Sequence, residues 1–151
     1  APAGAPVAAP AALAAPPGPG EPAAPLANVR VLLVDDEELI RSPMRRFLAR
    51  RGASVSEARD GLEALDLLRA GLEPQVMLVD LRMPRMDGVE LYARLQAEYG
   101  RLAERVLFLS GDITQLAGRA LAEVPRDRVL VKPLELVELE QKIREFVNAA
   151  T

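Results

Sequence analysis

From Asn28 onward, short apolar runs alternate with longer stretches whose apolar positions recur every three or four residues. The runs at 29–34, 54–58 ("SVSEA"), 76–79 ("VMLV"), 106–109 ("VLFL") and 128–131 ("RVLV") predict strands β1 to β5. Helical periodicity at 38–51, 61–70, 88–98, 113–123 and 134–148 predicts helices α1 to α5. The pattern is (βα)5. Continuous runs such as "VMLV" suit parallel strands covered on both faces, and parallel strands joined through helices require right-handed crossovers. The expected fold is therefore α/β, a doubly wound five-stranded parallel sheet. Gly52, Gly71, Gly100 and Gly111 fall at element ends, where the chain must turn.

The first 27 residues break this pattern. They are Ala, Pro and Gly with Glu21 as the single charge, too interrupted by Pro for a helix and too poor in large apolar side chains for a core. The expectation is a disordered linker or tail over 1–27, one domain over 28–148 and a short tail at 149–151. A chain of 151 residues, half of them apolar, suffices for one such domain. No apolar run approaches the roughly 20 residues of a membrane span, and residues 1–27 lack the basic start and compact apolar stretch of a signal peptide. A cytoplasmic protein without membrane contact is expected.

Composition narrows the chemistry. With no Cys there are no disulfides or thiolate metal sites, and with no His the commonest general base and transition-metal ligand are gone. Hard-oxygen chemistry remains. A net charge of −3 and only five aromatic residues, Phe47, Tyr92, Tyr99, Phe108 and Phe146, speak against direct nucleic-acid binding. The cations are 17 Arg and 2 Lys, so a Lys at a strand end calls for a specific reason.

In an open parallel sheet, ligands bind beyond the carboxyl ends of the strands, near the point where strand order reverses. β1 ends in Asp35 and Asp36, β3 in Asp80, β4 in Ser110, and β5 runs into Lys132 and Pro133. Glu37 and Glu38 are accounted for by the start of α1, where acids complement the helix dipole. Three meeting carboxylates are not: at about 5 Å and an effective dielectric of about 20, each pair repels by roughly 3 kcal/mol. A cation is implied. Three carboxyl groups, a backbone carbonyl and waters suit Mg²⁺, with Mn²⁺ able to substitute. Ser110 could also cap α4. Lys132 fits a compact ammonium reaching a confined site, delivered by the Pro133 turn. An Asp nucleophile, a divalent cation, a hydroxyl and a Lys together make a site for a phosphoryl group.

The segments "LLVDDEE", "MLVDLRMPRMDGVEL", "VLFLSGD" and "VLVKPLEL" resemble the response-regulator receiver family of two-component phosphorelays over about residues 28–148. The resemblance implies a flavodoxin-like sheet of order 2-1-3-4-5. It further implies Asp80 as phosphoacceptor, Asp35 and Asp36 as metal acids, Arg82 as backbone-carbonyl ligand, Ser110 as hydroxyl switch and Lys132 as phosphate contact. The implied partners are a histidine kinase or histidine phosphotransfer domain and a downstream protein met through α4, β5 and α5. The implied chemistry is self-catalysed phosphotransfer and slow autodephosphorylation rather than turnover of a separate substrate. "LSGD" resembles receivers attached to hybrid histidine kinases, which leaves a single-domain regulator or the receiver end of a larger kinase. Three residues before the lysine, where the family usually has Tyr or Phe, this chain has Val129.

Two other functions were open on the residues. A haloacid-dehalogenase-type phosphatase uses the same groups, but its nucleophile ends the first strand, with an acid two residues on followed by a hydroxyl, where this chain has "DDEEL". A scaffold signalling without phosphate is favoured by Val129 and opposed by the complete set of acid, hydroxyl and lysine.

Overall fold

The computed structural model describes residues 24–111, 124–131 and 135–150. The strands are β1 (Arg30–Val34), β2 (Ser54–Ala58), β3 (Val76–Asp80), β4 (Val106–Ser110) and β5 (Val129–Val131). The helices are α1 (Glu38–Arg50), α2 (Gly61–Arg69), α3 (Gly88–Glu98) and α5 (Leu136–Ala150). The range expected for α4 lies outside the described residues. A one-turn helix at Gly100–Ala103 and a 3₁₀ turn at Arg126–Arg128 were not anticipated, being too short to show a period.

All four strand pairings are parallel, in the order β2-β1-β3-β4-β5, which is the expected 2-1-3-4-5. The central strands are apolar along their buried lengths, polar only at an end, because both sheet faces are covered. Val31 and Leu33 of β1 share one cluster with Met44 and Leu48 of α1 and Leu139 and Ile143 of α5. Leu32 and Val34 share the other with Leu65 and Leu68 of α2 and Leu91 and Leu95 of α3. The period of two in a strand makes this division, since successive side chains point to opposite faces. Tyr92 of α3 meets Phe108 of β4 edge to face, centroids 5.2 Å apart, an arrangement worth about 0.5–1.5 kcal/mol beyond its buried area.

Packing begins before the expected start at Asn28. Leu26 is fully buried in the α1/α5 cluster, and its N–H donates to the Arg51 carbonyl at 2.8 Å. One Leu among Ala and Pro carries no periodic signal, so only its neighbours in space reveal it as core. Pro43 lies inside α1 and removes one helix hydrogen bond, but it faces solvent while Met44 and Leu48 hold the buried stripe. Among the described residues, no helix is long and apolar enough to cross a membrane.

Candidate functional site

The sheet order places β1 beside β3, with the chain crossing over β1 on its way from β2. That reversal opens a crevice at the carboxyl ends of β1 and β3. Asp35 and Asp36 follow β1, and Asp80 is the last residue of β3, paired in register with Leu109 of β4. Carboxylate oxygens of Asp35, Asp36, Glu37 and Asp80 all lie within 4.8 Å of one another. The three acids inferred from the sequence thus meet. Glu37 joins them: it does sit at the N-cap of α1, as expected, but its side chain makes no capping bond and reaches the cluster instead.

Burial differs sharply across the four. Asp35 and Asp80 are buried, whereas Asp36 and Glu37 are exposed, so the cluster is a buried floor with an open rim. Asp35 is held from several sides. Its N–H donates to the Ala58 carbonyl at 3.1 Å, its Oδ1 accepts from the Glu37 N–H at 2.9 Å, and its carbonyl accepts from Arg41 Nη1 at 2.6 Å. Asp80 Oδ1 accepts from the Arg82 N–H at 3.1 Å. Beside the cluster lies an open cleft of ≈ 360 Å³ lined by Asp36, Leu81, Arg82, Met83, Pro84 and Asp87. Ser110, also buried, ends β4 opposite Val131 of β5. Lys132, Pro133 and Asp112, the residue two positions beyond Ser110, lie outside the described residues.

The β3–α3 loop that lines the cleft is anchored at both ends. At its far end, Asp87 and Glu90 form a reciprocal capping box that starts α3. Gly88 is required there by close approach, not by an unusual φ: a Cβ on it would lie 2.7 Å from the Asp80 carbonyl oxygen and 2.8 Å from Leu81 Cα. In mid-loop, Arg85 adopts φ of 65° and its guanidinium bonds the buried Asp60 carboxylate, which also caps α2 through the Glu63 N–H. Burial alone would raise the Asp60 pKa, but the Glu63 and Leu62 amides and the Arg85 guanidinium outweigh it and hold the carboxyl below 3.8.

A depressed folded pKa stabilises the fold above the unfolded value, and that contribution is lost as pH falls through the folded value. Arg85→Ala is therefore expected to lower stability by about 1–2 kcal/mol at neutral pH, with the deficit shrinking below pH about 4 as Asp60 protonates. Arg85→Gly should lose less, since glycine adopts positive φ without strain. Urea melts of the three proteins at several pH values check both points; a deficit independent of pH would show that the ion pair is not its source.

Fold and site together define a doubly wound parallel α/β domain with an acidic crevice at its switch point. Comparison with known proteins places it more closely. The family model of the response regulator receiver domain matches residues 31–144, well over half of the chain. Response regulator MprA of Mycobacterium sp. (strain KMS) is 38% identical over 121 residues, 80% of this chain and 51% of that protein. MprA of Mycobacterium tuberculosis (strain CDC 1551 / Oshkosh) is 36% identical over 122 residues, again 80% and 51%. Among solved structures, the Francisella response regulator 1452 receiver domain superposes with a TM-score of 0.71 at 27% identity, covering 82% of this chain and all of that one. The signal receiver domain of an HD domain-containing protein from Pseudomonas fluorescens Pf-5 gives 0.68 at 28% identity, covering 82% and 97%. The chain belongs to the response-regulator receiver family. It spans about half the length of the curated relatives it matches.

The donor set fits a hard divalent cation. Four carboxylates converge, two of them on a buried floor, in a chain with no Cys or His. Sequence reasoning missed Glu37 as a cluster member, Arg41 as a support and the Asp60–Arg85 tie. Arg41 lies in the first turn of α1, close in sequence to Asp35, but nothing in the sequence says which face of α1 turns back over β1.

Proposed function

We propose that this chain accepts a phosphoryl group on Asp80 from the phosphohistidine of a histidine kinase or histidine phosphotransfer domain. One observation carries the reading: Asp80 ends a buried strand with its carboxylate among those of Asp35, Asp36 and Glu37. An Asp80 carboxylate oxygen attacks phosphorus, the phosphorus–nitrogen bond to the donor imidazole breaks, and the electron pair returns to that ring. Asp35, Asp36, Asp80 and the Arg82 carbonyl would hold Mg²⁺, which would neutralise charge on the incoming phosphoryl oxygens. Ser110 donates a hydrogen bond to one of those oxygens and Lys132 an ammonium contact to another.

Occupancy of the acyl phosphate then pulls Ser110 inward, and the change passes to a downstream protein through the α4, β5 and α5 surface. Val129 is half-buried opposite Phe108 and offers no ring to swing, which favours a response centred on the β4 end and muted across that surface. The setting proposed is cytoplasmic, as a single-domain regulator or the receiver end of a larger kinase.

Intact-mass spectrometry after incubation with acetyl phosphate tests the reading. With Mg²⁺ an adduct of about 80 Da, one phosphoryl group, is expected, and with EDTA none. No adduct with Mg²⁺ from either acetyl phosphate or a phosphorylated kinase panel would overturn the function and leave a phosphate-independent scaffold.

A further inference from the structure

We propose that Arg41 is a positioning residue of the acidic cluster: from α1 it clamps the peptide joining Asp35 to Asp36, and Glu57 of β2 fixes the clamp. This rests on the proposed reading of the cluster as a cation site. Arg41 is the one buried Arg among the described residues. Its Nη1 donates to the Asp35 carbonyl at 2.6 Å, and its Nε donates to Glu57 Oε1 at 2.9 Å. A guanidinium can do both at once because its donors lie in a rigid planar fork.

The clamped carbonyl belongs to the peptide that carries the Asp36 nitrogen, so holding it sets the direction in which both carboxylates leave the backbone. The Glu37 N–H then closes back on Asp35 Oδ1, completing a turn in which Asp35, Asp36 and Glu37 present their oxygens together. Glu57 is not itself near enough to count among the cluster acids, yet it is tied twice, by Arg41 and by Arg45 at 3.2 Å. Edge strand β2 thereby supports a site located on β1 and β3.

Charge and position make opposite predictions, which gives the test its force. As a cation next to a cation site, Arg41 should oppose Mg²⁺ binding, so removing its charge should tighten that binding. As a clamp, its removal should loosen the acids and weaken binding, by about 10-fold or more if it behaves like other supports of metal ligands.

The experiment is Mg²⁺ titration by calorimetry of the full 151-residue chain and of Arg41→Met, Arg41→Lys and Arg45→Met. It is paired with amide hydrogen exchange of Glu37 in EDTA. Arg41→Met is expected to raise the Mg²⁺ dissociation constant about 10-fold and to speed Glu37 exchange. Arg41→Lys, which can still donate to one of the two acceptors, should fall between it and the parent. Arg45→Met should match the parent, because Arg45 touches Glu57 but not Asp35. Unchanged or tighter Mg²⁺ binding by Arg41→Met, with Glu37 exchange as in the parent, would overturn the proposal even if thermal stability fell, since Arg41 would then serve stability alone. Should Arg41→Met fail to fold, Arg41→Lys with parental affinity and parental exchange would overturn it equally. A parent chain that binds no Mg²⁺ overturns the cation-site reading instead, and the exchange comparison in EDTA still decides whether Arg41 orders the turn.

Discussion

Asp80→Asn is expected to abolish phosphoryl uptake while leaving the fold intact. A neutral amide is too weak a nucleophile for in-line attack on phosphorus, so the adduct of about 80 Da should be missing at every Mg²⁺ concentration. Folding should not suffer. Asn presents the same shape, and its amide oxygen can still accept the Arg82 N–H that meets Asp80 Oδ1 at 3.1 Å. One negative charge also leaves a group of four whose oxygens lie within 4.8 Å of one another. At an effective dielectric of about 20, each such pair repels by roughly 3 kcal/mol, less for the exposed Asp36 and Glu37, where solvent and salt screen. The melting temperature in EDTA should therefore equal or exceed that of the parent. A normal adduct on the variant would move the acceptor elsewhere, and a marked loss of stability would mean that Asp80 also has a structural duty.

Gly88→Ala is expected to be the most damaging small substitution near the site, and its comparison with Gly61→Ala shows why. Both glycines open a helix, where Ala gains helix propensity over Gly, so intrinsic preference favours both replacements equally. The neighbours differ. At Gly88 the new Cβ meets backbone, the Asp80 carbonyl oxygen at 2.7 Å and Leu81 Cα at 2.8 Å, and backbone in a central strand has nowhere to go. At Gly61 it meets the Met86 side chain, Cγ at 2.7 Å and Sδ at 2.8 Å, and an unbranched thioether can swing aside. A cost of about 1–3 kcal/mol is expected for Gly88→Ala, accompanied by slower phosphoryl uptake because the strand end that carries Asp80 is displaced. Gly61→Ala should cost clearly less and leave uptake near normal. Urea denaturation midpoints and acetyl-phosphate time courses check the ranking; equal costs at the two positions would show that the Asp80 end of β3 yields as readily as a methionine.

The glycine comparison also separates what sequence can say from what only folding decides. Sequence alone determined the alternation of the described strands and helices, because a strand covered on both faces must be apolar along its buried length and a half-covered helix must repeat every three to four residues; β3 and β4 show the first, α1 and α5 the second. It also determined that three of the four clustered acids meet. Asp35, Asp36 and Asp80 lie directly at strand ends, and strand ends of a parallel sheet share one edge. Tertiary structure decided what depends on the facing of elements that are distant in the chain. Glu37 looked like a helix-start residue because backbone position was legible and side-chain direction was not. Leu26 became core only through α1 and α5, and Gly88 became indispensable only because α3 begins against the backbone of Asp80. Arg41 and the Asp60–Arg85 tie arise likewise from contacts across 6 and 25 residues, in which polar side chains take partners that no local period can announce. Apolar burial is dictated by amount and period, which a sequence displays, whereas a buried charge is satisfied by whichever partner the packed elements happen to bring within 3 Å.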